Sequence, residues 1–132
     1  MAGVAAGESV TIAGRPERVA VARAFAAAVL GPQHPAGETA VLLLSELVTN
    51  SVRHSASGLP GQSITVTVRS GGEVTQVQVT DRSGTTGPAL RPGASGLAGG
   101  GRGLYLVDSL AARWGFEQDG DRTTTWFELQ HG

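Results

Sequence analysis

Apolar residues return every three or four positions in the centre of the chain, which is the spacing of one face of a helix. The pattern predicts a helix that opens at Gly37 or Glu38 and runs to about His54. Its apolar positions are Ala40, Leu43, Leu44, Leu47, Val48 and Val52. Its polar positions, on the opposite side, are Glu46, Thr49, Asn50 and Arg53. Because residues three and four apart are neighbours on a helix, the polar side chains can meet a single ligand.

The polar face of this helix combines two kinds of chemistry one turn apart. The carboxylate of Glu46 can take up a proton, or hold a water molecule, beside a phosphate group. The amide oxygen of Asn50 can ligate a hard cation such as Mg²⁺. A charged helix face more often meets only water, so this helix by itself favours no function. The segments that follow this helix in the sequence favour a functional role for its polar face.

Shorter periodic segments on both sides of the central helix predict further strands and helices. Strict alternation of apolar and polar residues, interrupted at Gly71-Gly72, predicts a β-hairpin. The predicted strands are Ser9–Ala13, Gln62–Ser70, Val74–Thr80, Trp114–Gln118 and Thr123–Leu129. The other predicted helices are Glu17–Leu30, introduced by Pro16, and Arg102–Arg113.

These elements predict one small α/β domain. We expect a two-layer sandwich, with helices on one face of a mixed, mostly antiparallel sheet. Residues 1–15 are interpreted as a tail and a short strand, and residues 16–130 as the domain proper. Trp114 and Trp126 are expected to be core aromatic residues.

Composition removes several classes of function. The chain has 132 residues, no cysteine and a net charge of −1, and all ten of its basic residues are arginine. Without cysteine there are no disulfides and no thiol catalysis. Without lysine there is no P-loop lysine, no protein-kinase strand lysine and no Schiff base. The charge gives no electrostatic case for nucleic acid, and no apolar run is long enough for a membrane helix. With no secretory signal at the start, we expect a cytoplasmic protein.

Two segments after the hairpin add candidate binding chemistry. Asp81 ends a strand and is followed by Ser83-Gly84, which indicates either an Asx turn or a carboxylate that accepts a hydrogen bond from an exocyclic amine such as that of adenine. Gly84 would let a flat base approach. The run Gly99–Gly103 leads into a helix, whose N-terminus can offer N–H groups to an anion, although a plain linker is the more common reading. The segment Thr85–Gly101 between them is too long for a turn and predicts a mobile lid.

Taken together and in order, these motifs resemble those of the GHKL (Bergerat-fold) ATPases, the superfamily of histidine-kinase catalytic domains, MutL and type II topoisomerases. The motifs are SELVTNSVRHS, VTDRSG, GGRGLYLVDSLA and the final TTTWFEL. The first is similar to the N box of the family, and the next two are similar to its two glycine boxes. The likeness covers roughly residues 16–130 and is strongest to the small bacterial anti-sigma-factor serine/threonine kinases.

The resemblance implies a role for each matching residue. Glu46 would be the general base or would position a water molecule, and Asn50 would ligate Mg²⁺. Asp81 would bind adenine beside Gly84, supported directly or through a water molecule by Thr124. The residues implied at the phosphates of ATP are Arg53, Gly101, Arg102, Gly103 and Leu104. The first glycine box reads Asp81-Arg82-Ser83-Gly84-Thr85 and departs from the usual D-x-G-x-G pattern, with Ser83 and Thr85 at the two glycine positions.

The function that the resemblance implies is an ATP- and Mg²⁺-dependent serine/threonine kinase. It would phosphorylate an anti-anti-sigma (STAS-type) partner, and it would hold a sigma factor when that partner is not available. Two other functions stay open. One is a nucleotide-dependent binding module without phosphotransfer. The other is a stand-alone histidine-kinase-like catalytic domain, disfavoured because no phosphoacceptor helix with a histidine precedes residue 16. A homodimer is compatible with all three.

Overall fold

Five strands form one open sheet in the order β1-β2-β3-β5-β4. The computed structural model describes residues 7–54, 62–82 and 101–131. The strands are β1 (Glu8–Ala13), β2 (Ser63–Ser70), β3 (Val74–Asp81), β4 (Arg113–Asp119) and β5 (Arg122–Gln130). All four described pairings are antiparallel. The α/β sandwich is confirmed, and the parallel pair that a mixed sheet would contain is not present among these strands.

Within the described residues three α-helices accompany the sheet, and the sequence marks where the first of them begins and ends. They are α1 (Val19–Leu30), α2 (Gly37–His54) and α3 (Gly101–Leu110). A 3-10 turn at Pro16–Arg18 leads into α1, and proline suits this position because its ring presets the helical φ angle. α1 stops at Gly31, whose φ of 89° is a conformation that favours glycine. Among the described residues, no helix is long and apolar enough to span a membrane.

The helices cover one face of the sheet, and the core lies between the two layers. Alternate residues of the central strands point into it, as Val77 and Val79 of β3 do. On the helix side the fully buried residues include Ala22 and Ala26 of α1, Leu43, Leu44 and Val48 of α2, and Val107 of α3. All of them belong to one hydrophobic cluster. The apolar stripe predicted for the central helix is therefore its core face.

The other face of the sheet is polar and is lined by hydroxyl pairs between neighbouring strands. Ser9 pairs with Thr67, Thr11 with Thr65, and Thr80 with Thr124, at oxygen–oxygen distances of 2.7, 3.0 and 2.8 Å. Trp126 also lies on this face, half-buried against Gly115, so its predicted place in the core is wrong. The reason is strand alternation, because Thr125 and Phe127 on either side of it point inward. Trp114 does pack against the core.

Helix α3 ends earlier than its apolar pattern predicted. Arg113 was expected to close the helix but begins β4, and its guanidinium donates to Glu128 of β5 at 2.9 and 2.7 Å. The turn predicted at Asp119-Gly120-Asp121 joins β4 to β5, and Gly120 there has a φ of 65°. The short hairpin brings both strands to the same end of the sheet as the end of β3.

Candidate functional site

A buried carboxylate lies at the end of β3, under the central helix. Asp81 is the last residue of that strand and is 8% exposed, and α2 packs against β3. The hydroxyl of Ser51, on α2 and itself 7% exposed, donates a hydrogen bond to Oδ2 of Asp81. A buried charge is costly unless a donor compensates it, so this hydrogen bond stabilises the ionised carboxylate.

Polar side chains continue from Asp81 across the neighbouring strands. Thr123 of β5 is the register partner of Asp81 and is 2% exposed. The amide of Gln118, on β4, donates to the Thr123 hydroxyl at 3.3 Å. Thr125 is also buried on this face. We call the group formed by Ser51, Asp81, Thr123 and Gln118 the carboxylate cluster. It gives this end of the core a hydrogen-bonding surface, whereas the centre of the core is apolar.

The residue after Asp81 fixes the end of the strand. Arg82 donates from Nε to Oδ2 of Asp121 at 2.9 Å and from Nη1 to Oε1 of Gln62 at 3.0 Å, while its Nη2 lies 2.6 Å from Asp121. These bonds connect β3 to the segment before β2 and to the β4–β5 turn. Because the ion pair is largely exposed, its free energy is small and its main effect is geometric.

The polar face of α2 lies beside the carboxylate cluster along the helix. Glu46 and Asn50 are half-buried and Arg53 is exposed. Asn50 directly precedes Ser51, so the same turn of helix bears both the amide and the hydroxyl that holds Asp81. The candidate base Glu46 and the candidate metal ligand Asn50 are therefore carried by the helix that packs over the buried carboxylate.

The glycine-rich motif forms the start of α3. Gly101 is the first residue of that helix, and α3 packs against α2. The side chain of Leu104 is 3% exposed and belongs to the core. If Leu104 contributes to a phosphate site, it does so through its backbone N–H, as helix N-termini do. Gly84 and residues 85–100 of the predicted lid lie outside the described residues.

Thr124 is not where the resemblance placed it. Its hydroxyl bonds to Thr80 at 2.8 Å on the polar outer face, while Asp81 points to the helix-covered face. Neighbouring residues of a strand point to opposite sides, so Thr123 is the residue of β5 that shares a face with Asp81. This geometry contradicts the expected position of Thr124 beside the carboxylate.

Three residues of the carboxylate cluster, Ser51, Thr123 and Gln118, were not predicted from the sequence, although Ser51 and Thr123 each carried a signal. Ser51 falls three and seven positions after Val48 and Leu44, within the apolar stripe, and a serine in such a stripe indicates a buried hydrogen-bond partner. Thr123 alternates in phase with Phe127, which is fully buried. Strand period alone would have selected it over Thr124.

The few protein oxygens at this site suit a cation that is coordinated mainly by phosphate and water. Within the three described ranges, no group of three or more His, Cys, Asp or Glu side chains is arranged to hold a metal ion. One amide oxygen, from Asn50, beside the carboxylate of Glu46 fits Mg²⁺, which usually keeps its other positions for water and phosphate oxygens.

An open antiparallel sheet with helices on one face and a buried carboxylate at a strand end defines the class of α/β sandwich to which this chain belongs. Residues 12–129 match the histidine kinase-like ATPase domain family, and the chain is therefore a member of that family. The predicted GHKL relationship is confirmed. Membership implies ATP binding as the basic property of the domain.

Individual proteins of known sequence or structure are also similar to this chain. The uncharacterized protein SCO4941 of Streptomyces coelicolor is 41% identical over 80 residues, which are 60% of this chain and 73% of that protein. The crystal structure of the RsbU and RsbW domains of Rv1364c from Mycobacterium tuberculosis matches with a TM-score of 0.67 and 20% identity. That match covers 94% of this chain and 31% of the other, so the chain spans about a third of its length. At this identity the match shows a shared fold.

Proposed function

We propose that this protein binds ATP with Mg²⁺ and transfers the γ-phosphoryl group to a serine or threonine of an anti-anti-sigma, STAS-type partner. The observation that carries the proposal is the buried Asp81, held by Ser51 at a strand end within an ATPase-family fold. The fold shared with a structure that contains an RsbW domain supports this choice of partner. Under this proposal the protein acts in the cytoplasm and regulates transcription by holding a sigma factor while the partner is phosphorylated.

Asp81 would select the base. An ionised carboxylate only accepts hydrogen bonds, so it pairs with the 6-amino group of adenine and meets the 6-oxo group of guanine as acceptor against acceptor. The buried setting makes the mismatch costly because no water can relieve it. Gly84 would lie beside the base.

The phosphates would be held without lysine. Asn50 would ligate Mg²⁺, which neutralises phosphate charge when bound. The N-terminus of α3, from Gly101 through Arg102 and Gly103 to Leu104, would supply backbone N–H groups to the phosphate oxygens. Arg53, exposed at the end of the polar face of α2, would add a guanidinium.

Glu46 would act on the incoming hydroxyl. Its carboxylate takes the proton of the serine or threonine, whose oxygen forms a bond to the γ-phosphorus as the bond to the β-phosphate oxygen breaks. The products are ADP and a phosphorylated partner. Glu46 lies one turn before Asn50 on α2, so the base and the metal ligand sit on one rigid element.

The experiment that tests the proposal is phosphotransfer from labelled ATP. The purified chain is incubated with Mg²⁺ and candidate anti-anti-sigma proteins, and any phosphorylated residue is mapped by mass spectrometry. We expect phosphoserine or phosphothreonine on one partner, and none with the Glu46→Ala protein. Tight ATP binding without transfer to any partner would contradict the kinase proposal.

That outcome would favour a nucleotide-dependent binding module. The departure in the first glycine box, where Thr85 replaces a glycine, is the observation that favours this second function. In such a module ATP would still bind at Asp81, and its role would be to control the affinity for a sigma factor.

A further inference from the structure

We propose that Ser51 is the positioning residue for the base-selecting carboxylate: by donating to Oδ2, it sets the orientation in which Asp81 meets adenine. The inference rests on the proposed ATP binding and adds a residue that the resemblance did not assign. Asp81 supplies the oxygen that accepts the hydrogen bond from adenine, and Ser51 sets the orientation of that oxygen.

The position of Ser51 follows from helix geometry. Consecutive residues on an α-helix differ in direction by about 100°. Asn50 stays half-buried on the polar side of α2, and Ser51 turns toward the sheet and is 7% exposed. The hydroxyl enters the core between the two layers and reaches Asp81 at the end of β3.

Asp81 needs such a donor because its own torsion does not fix the carboxylate. The terminal torsion of an aspartate is broad, so rotamer preference alone leaves the plane of the two oxygens loosely defined. A hydroxyl that donates to a carboxylate forms a charge-assisted bond, about twice as strong as a neutral one. A buried setting strengthens it further. The Ser51 bond therefore selects one orientation of the Asp81 carboxylate before any ligand arrives.

The location of the donor on α2 links two parts of the proposed site. Ser51 is the neighbour of Asn50, the proposed metal ligand, on one turn of helix. Thr123, with Gln118 bonded to it, meets Asp81 from the strand side. The carboxylate is thus set between the sheet and the helix that would hold the metal. Recognition of the base and binding of the phosphates would depend on the same helix position.

A merely structural role predicts a different result. If Ser51 only ties α2 to the sheet, its loss lowers the denaturation midpoint and leaves the affinity of the folded protein for ATP unchanged. A positioning role also changes affinity, and it changes it for ATP more than for GTP, because only adenine uses the oriented acceptor. Nucleotide selectivity is therefore the readout that separates the two roles.

The experiment compares Ser51→Ala with Ser51→Thr, which keeps the hydroxyl, and with Ser45→Ala as a matched control on the same helix. Dissociation constants for ATP and GTP are measured by calorimetry, and folding is checked by circular dichroism. We expect Ser51→Ala to weaken ATP binding about tenfold, with a smaller change for GTP. Ser51→Thr and Ser45→Ala should stay near the wild type.

A second measurement tests the hydrogen bond between Ser51 and Asp81 in the absence of nucleotide. In a double-mutant cycle of denaturation midpoints, Ser51→Ala should destabilise the wild type but have little further effect on Asp81→Ala, which has no side-chain acceptor. If the wild type binds ATP and Ser51→Ala binds it equally well with the same selectivity, the positioning role is overturned and the proposed function stands. If the wild type does not bind ATP at millimolar concentration, the proposed function fails, and the positioning role fails with it.

Discussion

Strand β3 has a buried polar residue at each end of its inward face, and the two ends differ in how those residues are used. Thr75 lies near the start and is fully buried, Asp81 lies at the end, and Val77 and Val79 separate them. Around Thr75 are Ser70, His34 and His131, which together with it we call the histidine cluster. Helix α2 spans both ends, since its first residue bonds to the backbone of His34 and its Ser51 bonds to Asp81.

The histidine cluster is closed within the fold. Thr75 bonds to Ser70 at 2.9 Å and to Nε2 of His131 at 2.8 Å, and Nε2 of His34 lies 2.8 Å from the Ser70 hydroxyl. The backbone N–H of Ala36 donates to Nδ1 of His34 at 3.0 Å. The two imidazole rings meet edge to face, 4.6 Å apart. Each of these side chains bonds to another member of the cluster, which is typical of a structural tie between a loop and a sheet.

The carboxylate cluster has a different chemistry at its centre. A carboxylate only accepts hydrogen bonds, and one of those at Asp81 comes from the hydroxyl of Ser51. The base-selecting role proposed for Asp81 uses this acceptor-only chemistry. Burial of a polar residue does not by itself indicate function, whereas the kind of group that is buried does. Substitutions at the two ends should therefore separate loss of function from loss of stability.

The largest effect is expected for Glu46→Ala on the helix above the carboxylate cluster. Removal of a general base typically slows proton transfer by about 10²–10⁴-fold. ATP affinity should change little, because Glu46 acts on charge that develops only in the transition state. The rate of partner phosphorylation and the ATP dissociation constant are measured on the same protein.

Asn50→Ala is the matched comparison one turn further along α2. It should weaken ATP binding in the presence of Mg²⁺ and, with it, every later step. If Glu46→Ala loses ATP affinity to the same extent, Glu46 is a metal or structural residue and the proposed division of roles between them is wrong.

Asp81→Asn should produce the next largest effect, on affinity. The amide can present an N–H to the amino group of adenine, and the loss of one buried hydrogen bond is about 1–3 kcal/mol. GTP binding should fall less, because the 6-oxo group of guanine accepts. An equal loss for both nucleotides, measured by calorimetry, would contradict the assignment of Asp81 to the base.

Thr75→Val is the corresponding change at the other end of β3. It removes a buried hydroxyl that bonds to the half-buried Ser70 and His131, at a cost of about 1–3 kcal/mol in the free energy of unfolding. Under conditions in which the variant is fully folded, its affinity for ATP should equal that of the wild type. A change in nucleotide affinity as large as that of Asp81→Asn would mean that the two ends are coupled, and the distinction between them would not hold.

The parts of the fold that the sequence predicts are those in which apolar residues repeat with a regular helix or strand period. The strands, the central helix and the strand end at Asp81 were predictable, because their apolar spacing is regular over many residues. The predicted positions of Thr124 and Trp126 were wrong because both alternate along β5 with the buried Thr123, Thr125 and Phe127 and so lie on the opposite face. The hydrogen bond from Ser51 to Asp81 joins residues 30 apart in the chain, and only the packing of α2 on β3 brings them together.

The histidine cluster was out of reach for a different reason. Its members come from the α1–α2 connection, both strands of the β2–β3 hairpin and the residue after β5. No single segment has a pattern that predicts such a meeting. The sequence contains three histidines, and two of them, His34 and His131, are partners in a hydroxyl network.

The smallest expected effect is a dependence of stability on pH, and it arises at the histidine cluster. Burial lowers the pKa of His34 below its usual 6.5, and the charge on nearby His131 lowers it further. Arg23 and Glu38 also line the groove that His34 adjoins. With a lowered pKa, the folded protein binds fewer protons at His34 than the unfolded chain does. The stabilising contribution is therefore complete above about pH 6.5 and is lost as the pH falls toward the lowered value.

The geometry explains why protonation of His34 destabilises the fold. Nδ1 accepts the N–H of Ala36, so a proton on Nδ1 would set a donor against a donor and release the start of α2 from the loop. His34→Asn keeps a side-chain acceptor near the backbone but cannot titrate in this range. Thermal unfolding at about pH 7.5 and pH 5.5 should show a larger loss of melting temperature in the wild type than in His34→Asn. Equal losses of melting temperature would mean that His34 does not cause the pH dependence of stability. If the affinity for ATP follows the same pH curve in the wild type but not in His34→Asn, this end of α2 is linked to the nucleotide site.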